Sequence, residues 1–240
     1  MDVDQQLVDS VEVVDVRPAS DQPIYIYETL QGASSFRLLT ILPADGEDAP
    51  ILCTIQEHSF VEYPPYRALS YNWGDASRKC DIHINDQQFS VTENLYHTLQ
   101  HLRKTEVRYQ STRWWIDAIC INQTDTKEKN RQVAKMRDIY SGAVETIAWL
   151  GVAYDESDWV IELTHFMEHQ HDASNSTVDL GYHVARGAMA YYHSFLSRPY
   201  WTRIWILQKI VVSKEVTLLC GKRRATLLSY ETFLSQLQTV

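Results

Sequence analysis

The 240-residue chain lacks most of the features that announce a secreted, membrane-bound or metal-built protein. Its four cysteines, Cys53, Cys80, Cys120 and Cys220, lie far apart and show no CxxC or other metal-ligand spacing. Reduced thiols are the simplest consequence. No apolar run approaches the length that crosses a bilayer, and the acidic N-terminus has neither the basic nor the apolar region of a secretory signal. Basic excess is missing too: 31 Asp and Glu against 22 Lys and Arg leave a formal charge of −9. That disfavours binding along a phosphate backbone, while a small anion held by a local cluster stays open. GxGxxG, P-loop and HExxH motifs are absent, which argues against a conventional dinucleotide fold, an NTPase and a zinc protease. The chain has no internal repeat and no low-complexity tract. The expectation is a cytoplasmic protein with no membrane span, no nucleic-acid partner and no metal.

What is present centres on residues 113–151. Residues 114–121 are mostly apolar and rich in β-branched and aromatic types, as in a strand covered on both faces, and Asp117 is the exception within them. A polar turn over 122–125 then leads into a helix, with Asp125 as N-cap and Glu128 as its reciprocal capping partner. Val133, Met136, Ile139, Tyr140 and Ala143 share one face of that helix, Ser141 and Gly142 end it, and residues 144–150 supply a second strand closed by Gly151. This is one βαβ unit. In sheets built from such units ligands sit at the carboxyl ends of the strands, where Asp117, Cys120, Asn122 and Gln123 are placed.

With 45 % hydrophobic residues the chain can bury a sizeable core. The pattern gives a leader or edge element over 1–35 and one domain over 36–240. Strands are predicted over 24–27, 36–42, 51–56 and 66–71, the last running into Asn72-Trp73-Gly74-Asp75, whose small and polar residues suit a ligand loop. Alternation over 81–84 and 88–91 about Asn85-Asp86 reads as a β-hairpin. Thr92 caps a helix with the stripe Leu95, Leu99 and Leu102. Helices over 158–169 and about 182–196 flank a polar loop over 171–179. Residues 201–212 form a further helix that places Trp205 and Lys209 on one face, and 216–220 a final strand. The stretch 227–240 looks like a helix cut short, as in a domain excerpted from a longer protein.

Each candidate residue has a plainer alternative. With seven Trp in the chain, core packing is the default for any one of them, and the strand-end loop makes Trp73 the better ligand-stacking candidate. Asp117 either contacts a ligand or braces a loop through backbone N–H groups. Cys120 reads as a small buried thiol, because no histidine stands in a fixed relation to it. The pairs His97/His101 and His165/His169 have chelating spacing. The first lies off the leucine stripe and reads as solvated. Lys222-Arg223-Arg224 reads as a solvated turn.

Several blocks together carry a resemblance. Phe36-Arg37-Leu38-Leu39, Tyr66-Arg67-Ala68-Leu69-Ser70-Tyr71-Asn72-Trp73-Gly74, Trp115-Ile116-Asp117-Ala118-Ile119-Cys120-Ile121-Asn122-Gln123, the helix from Gln132 to Tyr140, Trp149-Leu150-Gly151 and Arg198-Pro199-Tyr200-Trp201-Thr202-Arg203-Ile204-Trp205 follow one another in family order. In this the chain resembles a fungal heterokaryon-incompatibility (HET) domain and, more distantly, a TIR domain. The resemblance implies a flavodoxin-like α/β fold: a mostly parallel sheet flanked by helices, with an extra β-hairpin and helical insertions. It implies a role in non-self recognition and programmed cell death, as a death-effector module joined to other domains of a full-length protein. It also implies an NAD-cleaving parent activity, with NAD or a related nucleotide as substrate and no tightly bound cofactor.

The pocket it implies draws on Ser70, Tyr71, Trp73, Gly74, Asp117, Asn122 and Trp205, with position 209 as the catalytic site. There the family pattern ends in Gln-Glu, and this chain has Gln208-Lys209. Cleaving the nicotinamide–ribose bond develops positive charge on the sugar, which a carboxylate stabilises and an ammonium opposes. The domain is therefore expected to be inactive. The alternative is a non-enzymatic TIR-like scaffold signalling by homotypic assembly, and in either case a homo-oligomer is the expected active form.

Overall fold

The computed structural model describes residues 23–44, 46, 48–105, 112–153, 161, 195–202 and 204–227. The leader over 1–22, the helices predicted over 158–169 and 182–196, the loop over 171–179 and the helix over 227–240 lie wholly or almost wholly outside them.

Strands β1 (Ser35–Ile41), β2 (Leu52–Ser59), β3 (Arg67–Tyr71), β4 (Lys79–Ile84), β5 (Gln87–Thr92), β6 (Arg113–Trp115), β7 (Glu145–Gly151), β8 (Val216–Cys220) and β9 (Arg223–Thr226) form one sheet. Their order is β5-β4-β2-β1-β6-β3-β7-β8-β9. The central block β6-β3-β7-β8 is parallel, whereas β1 runs antiparallel to both β2 and β6, and the β4–β5 and β8–β9 pairs are antiparallel. The architecture is thus α/β with a mixed sheet. Helices α1 (Glu93–Thr105), α2 (Asp117–Cys120), α3 (Thr126–Ala134), α4 (Met136–Gly142) and α5 (Ile204–Val212) accompany it.

Adjacent residues Leu38 and Leu39 on β1, and Ala68, Leu69, Ser70 and Tyr71 on β3, are all buried, so the middle of the sheet is covered on both faces. The outer hairpin alternates instead, and its turn residues Asn85 and Asp86 both have positive φ, 49° and 63°. That is the geometry a two-residue hairpin loop needs, and these two residue types tolerate it. Leu95, Leu99 and Leu102 of α1 are buried as their spacing predicts, and Leu95 N–H donates to Thr92 Oγ1 at 3.4 Å.

The central unit departs from expectation in four ways. β6 stops at Trp115, and the apolar run continues as the helical turn α2, with Ile119 and Cys120 N–H both bonded to Ile116 O. Burial alone does not distinguish strand from helix over so short a run. β3 lies between β6 and β7, so the two strands of the βαβ unit are not neighbours. The single helix predicted after Asp125 breaks at Lys135 (φ −98°, ψ 0°) into α3 and α4. Asp125 does cap α3, accepting from Lys127 N and Glu128 N, yet Glu128 does not return the bond.

Glu128 turns inward because a stronger donor is available. Arg37 on β1 makes a two-pronged bond to its carboxylate at 2.6 and 3.0 Å and also donates to Cys120 O and Glu28 O, while Asn122 N–H donates to Glu128 Oε1 at 2.8 Å. The loop between β6 and α3 is therefore tied to the sheet through a buried, nearly saturated ion pair.

Two smaller expectations also change. Residues 24–27 form no strand: Ile24 makes one bridge to Gln88, and Tyr25 and Tyr27 pack edge-on against Phe89. Arg223 and Arg224 open strand β9 rather than sitting in a turn. Among the described residues no helix is long and apolar enough to cross a membrane.

Removing one half of a buried ion pair leaves the other charge uncompensated, which costs about 3–5 kcal/mol. Glu128→Ala should lower the free energy of urea unfolding by that amount. A loss under about 1 kcal/mol would mean that Arg37 and Glu128 do not hold this loop.

Candidate functional site

The parallel strands β6, β3 and β7 end on the same edge of the sheet, and the loops beyond them converge. Trp115 of β6 leads to Asp117, Tyr71 of β3 leads to the 72–75 loop, and β7 ends at Gly151. Asp117 is 8 % exposed. One carboxylate oxygen accepts from Trp73 Nε1 at 3.2 Å and the other faces Lys209 Nζ at 3.1 Å, while Gln123 Nε2 holds the Asp117 backbone carbonyl at 2.8 Å.

Lys209 reaches Asp117 from α5. It is 6 % exposed, and its ammonium lies 5.3 Å from the centre of the Tyr140 ring. That aromatic face takes part of the charge that Asp117 does not neutralise. Tyr140 is held in turn by its hydroxyl, which donates to Leu69 O at 3.0 Å. Beside this group Tyr200 donates to Ser70 Oγ at 3.0 Å. Burial pushes the Tyr200 hydroxyl up to about 12, against smaller lowering effects from the Ser70 bond and the Lys209 charge.

The fold thus brings Ser70, Trp73, Asp117 and Lys209, named from the sequence, into one connected cluster. Tyr71 is buried in the core beside them. Gly74 has φ +73°, and a Cβ there would stand 2.9 Å from the Asn94 side chain, so this loop position requires glycine. Asn122 is engaged elsewhere: its side chain accepts from Thr124 N and Oγ1, forming a local turn. Trp205 is 51 % exposed on the outer side of α5.

Two clefts adjoin the cluster. One of about 370 Å³ is lined by Asn72, Gly74 and Asp75, the start of α1, the end of β7 and Tyr200. An apolar one of about 610 Å³ lies between α4 and α5 and includes Trp205 and Lys209. They share no lining residue.

Gln123 was placed at this edge from the sequence, whereas Tyr140 and Tyr200 were not singled out as site residues. Tyr200 stands inside the Arg198-Pro199-Tyr200-Trp201 block, which was the available signal. Tyr140 read only as one apolar position of a helix. Cys120 is fully buried, and desolvation pushes its thiol up to about 12, which suits an inert packing group. No cluster of three or more His, Cys, Asp or Glu that could hold a metal occurs among the described residues.

Residues 66–209, more than half of the chain, match the family model described as heterokaryon incompatibility protein (HET). The chain belongs to the HET family. This HET domain is similar to heterokaryon incompatibility protein 6, OR allele, of Neurospora crassa, with 39 % identity over 140 residues, covering 54 % of the chain and 21 % of that protein. It spans about a fifth of the length of that curated relative. No solved structure matches it. The matched segment runs from Tyr66, before the ligand-loop strand, to Lys209 itself, so the Asp117 cluster lies within the family region.

His101 of the HET domain corrects one expectation. Far from being solvated, it packs against Trp149 with ring centres 4.6 Å apart, because α1 lies across the sheet beside β7. Burial, aided by Lys222 and Lys104, pulls its pKa down to about 4, against about 6.5 in an unfolded chain. Between those values the unfolded state holds the extra proton, so stability falls as the pH drops from about 6.5 toward 4. His101→Gln should flatten this part of the stability curve, measured by urea midpoints across the same window. An unchanged slope would show that His101 does not titrate as stated.

Proposed function

We propose that this HET domain is the effector module of a larger fungal non-self recognition protein, acting in the cytoplasm. Its ancestral chemistry is cleavage of NAD, and Lys209 silences that chemistry in this chain. The observation that carries the proposal is the placement of Lys209 Nζ 3.1 Å from Asp117 Oδ2, at the carboxyl ends of β6 and β3, with Trp73 on the other carboxylate oxygen.

That edge of an α/β sheet is where ligands bind. The motif resemblance, through its TIR likeness, names position 209 as the acid that steadies a cationic sugar. A glutamate at 209 would bring two carboxylates together and raise the pKa of one of them. The lysine replaces that arrangement with an internal ion pair, which neutralises Asp117 and presents positive charge where the transition state is itself positive. Loss of one electrostatic stabiliser costs on the order of a hundred- to a thousand-fold in rate, and substitution by a like charge costs more.

The cleft at the 72–75 loop supplies the nucleotide site of this proposal. Asn72 and Gly74 line it, and Tyr200, which also lines it and donates to Ser70, joins it to the residues beside Asp117.

The test is nicotinamide release from NAD by the wild-type chain and by Lys209→Glu, with Lys209→Gln as a neutral control and circular dichroism to confirm folding. Wild type and the glutamine variant should be silent, and the glutamate variant should turn over. Turnover by the wild-type chain would overturn the silencing. Silence from all three, with self-association that grows with concentration, would favour a homotypic scaffold.

A further inference from the structure

We propose that the apolar cleft between α4 and α5 is a binding site for a small amphipathic organic anion, a carboxylate or sulfonate carrying an aromatic or short acyl body. The cleft measures about 610 Å³, within the roughly 300–1,000 Å³ span of small-molecule sites. Met136, Tyr140, Trp205 and Val212 are among its apolar lining residues, and Arg137 and Lys209 are the two cationic ones. No acidic side chain among the described residues lines it, although the chain as a whole carries a charge of −9.

The two cations have unused capacity. An ammonium carries three donors, and among the described residues that of Lys209 meets one acceptor, Asp117 Oδ2, besides the Tyr140 ring face. Asp117 is not part of the cleft wall, and its second oxygen is occupied by Trp73. Arg137 is exposed and makes no hydrogen bond or ion pair with the described residues. An anionic head group placed between Arg137 and Lys209 would give both cations an acceptor. Its apolar body would lie against Trp205 and Met136, covering part of an indole that is otherwise 51 % exposed. An ammonium that is 6 % exposed is buried enough for such a contact to be weakly screened.

The cleft shares no lining residue with the one at the 72–75 loop; it uses Lys209, as the proposed silencing does, but needs only its positive charge and not NAD cleavage. Its ligand is defined by a single head group and a compact apolar body.

The test uses the 240-residue chain and two fluorescent probes of like shape: 8-anilinonaphthalene-1-sulfonate and the uncharged N-phenyl-1-naphthylamine. The sulfonate should bind saturably, one per chain, and the neutral probe about tenfold or more weaker. Arg137→Gln, a surface change that leaves packing alone, should weaken the sulfonate about threefold. Lys209→Met should weaken it tenfold or more, with near-UV circular dichroism reporting whether that variant stays folded. Trp205→Ala should weaken both probes. Equal affinity for the two probes, an unchanged Arg137→Gln, or no saturable binding by the wild-type chain would each overturn the proposal, and none of these readouts involves NAD.

Discussion

Asp117 is a carboxylate placed where water scarcely reaches, and the edge of the sheet is arranged around its charge. Moving such a group out of water costs several kcal/mol unless hydrogen bonds and a counter-charge replace the lost hydration. Here the indole of Trp73 takes one oxygen, the ammonium of Lys209 takes the other, and Gln123 holds the backbone of the same residue. Each partner comes from a different part of the chain: the loop after β3, helix α5 and the turn before α3. Satisfying one carboxylate thereby fixes the relative positions of three segments that do not otherwise share a strand or helix.

The same logic operates one layer back. Arg37 and Glu128 neutralise each other inside the protein, and their remaining capacity goes to Cys120 O, Glu28 O and Asn122 N. Buried ion pairs contribute little net stability when compared with apolar packing, but they are demanding about geometry. Two of them on either side of the β6–α3 loop give that loop little choice of conformation. Glu145 plays the corresponding part at the opposite ends of the strands, accepting from Arg67 of β3 and Thr217 of β8 at 2.6 Å each. The parallel block is clamped below by this group and organised above by Asp117.

Lys209 gives the site two aspects. Toward the sheet it closes the ion pair and leaves Asp117 with no free oxygen. It also lines the apolar cleft between α4 and α5, whose wall includes no acid among the described residues. Helix α5 is apolar nearly all round, with Ile206 buried and Leu207 and Val211 exposed. Lysine at 209 is the one charged side chain in that helix, and it points inward to a partner instead of outward to water.

Local patterns that depend on neighbours in sequence were legible without coordinates. The Asn85-Asp86 hairpin, the leucine stripe of α1, the Asp125 cap and the strands about residues 36–42, 51–56, 66–71, 144–150 and 216–220 all follow from turn chemistry and periodicity, which act within a few residues. The juxtaposition of Trp73, Asp117 and Lys209 was suggested by motif resemblance, not by periodicity. Three matters were decided only by tertiary structure. The apolar run after Trp115 coils into α2 although β1 and β3 both run on past it, and the ties that hold the coiled form, Asp117 to Trp73 and Lys209 and Cys120 O to Arg37, all come from far along the chain. Whether Glu128 capped a helix or paired with Arg37 depended on a guanidinium 91 positions away. Whether β6 and β7 touched depended on β3 being inserted between them, since a parallel crossover leaves room for another strand and nothing within residues 113–151 records its arrival.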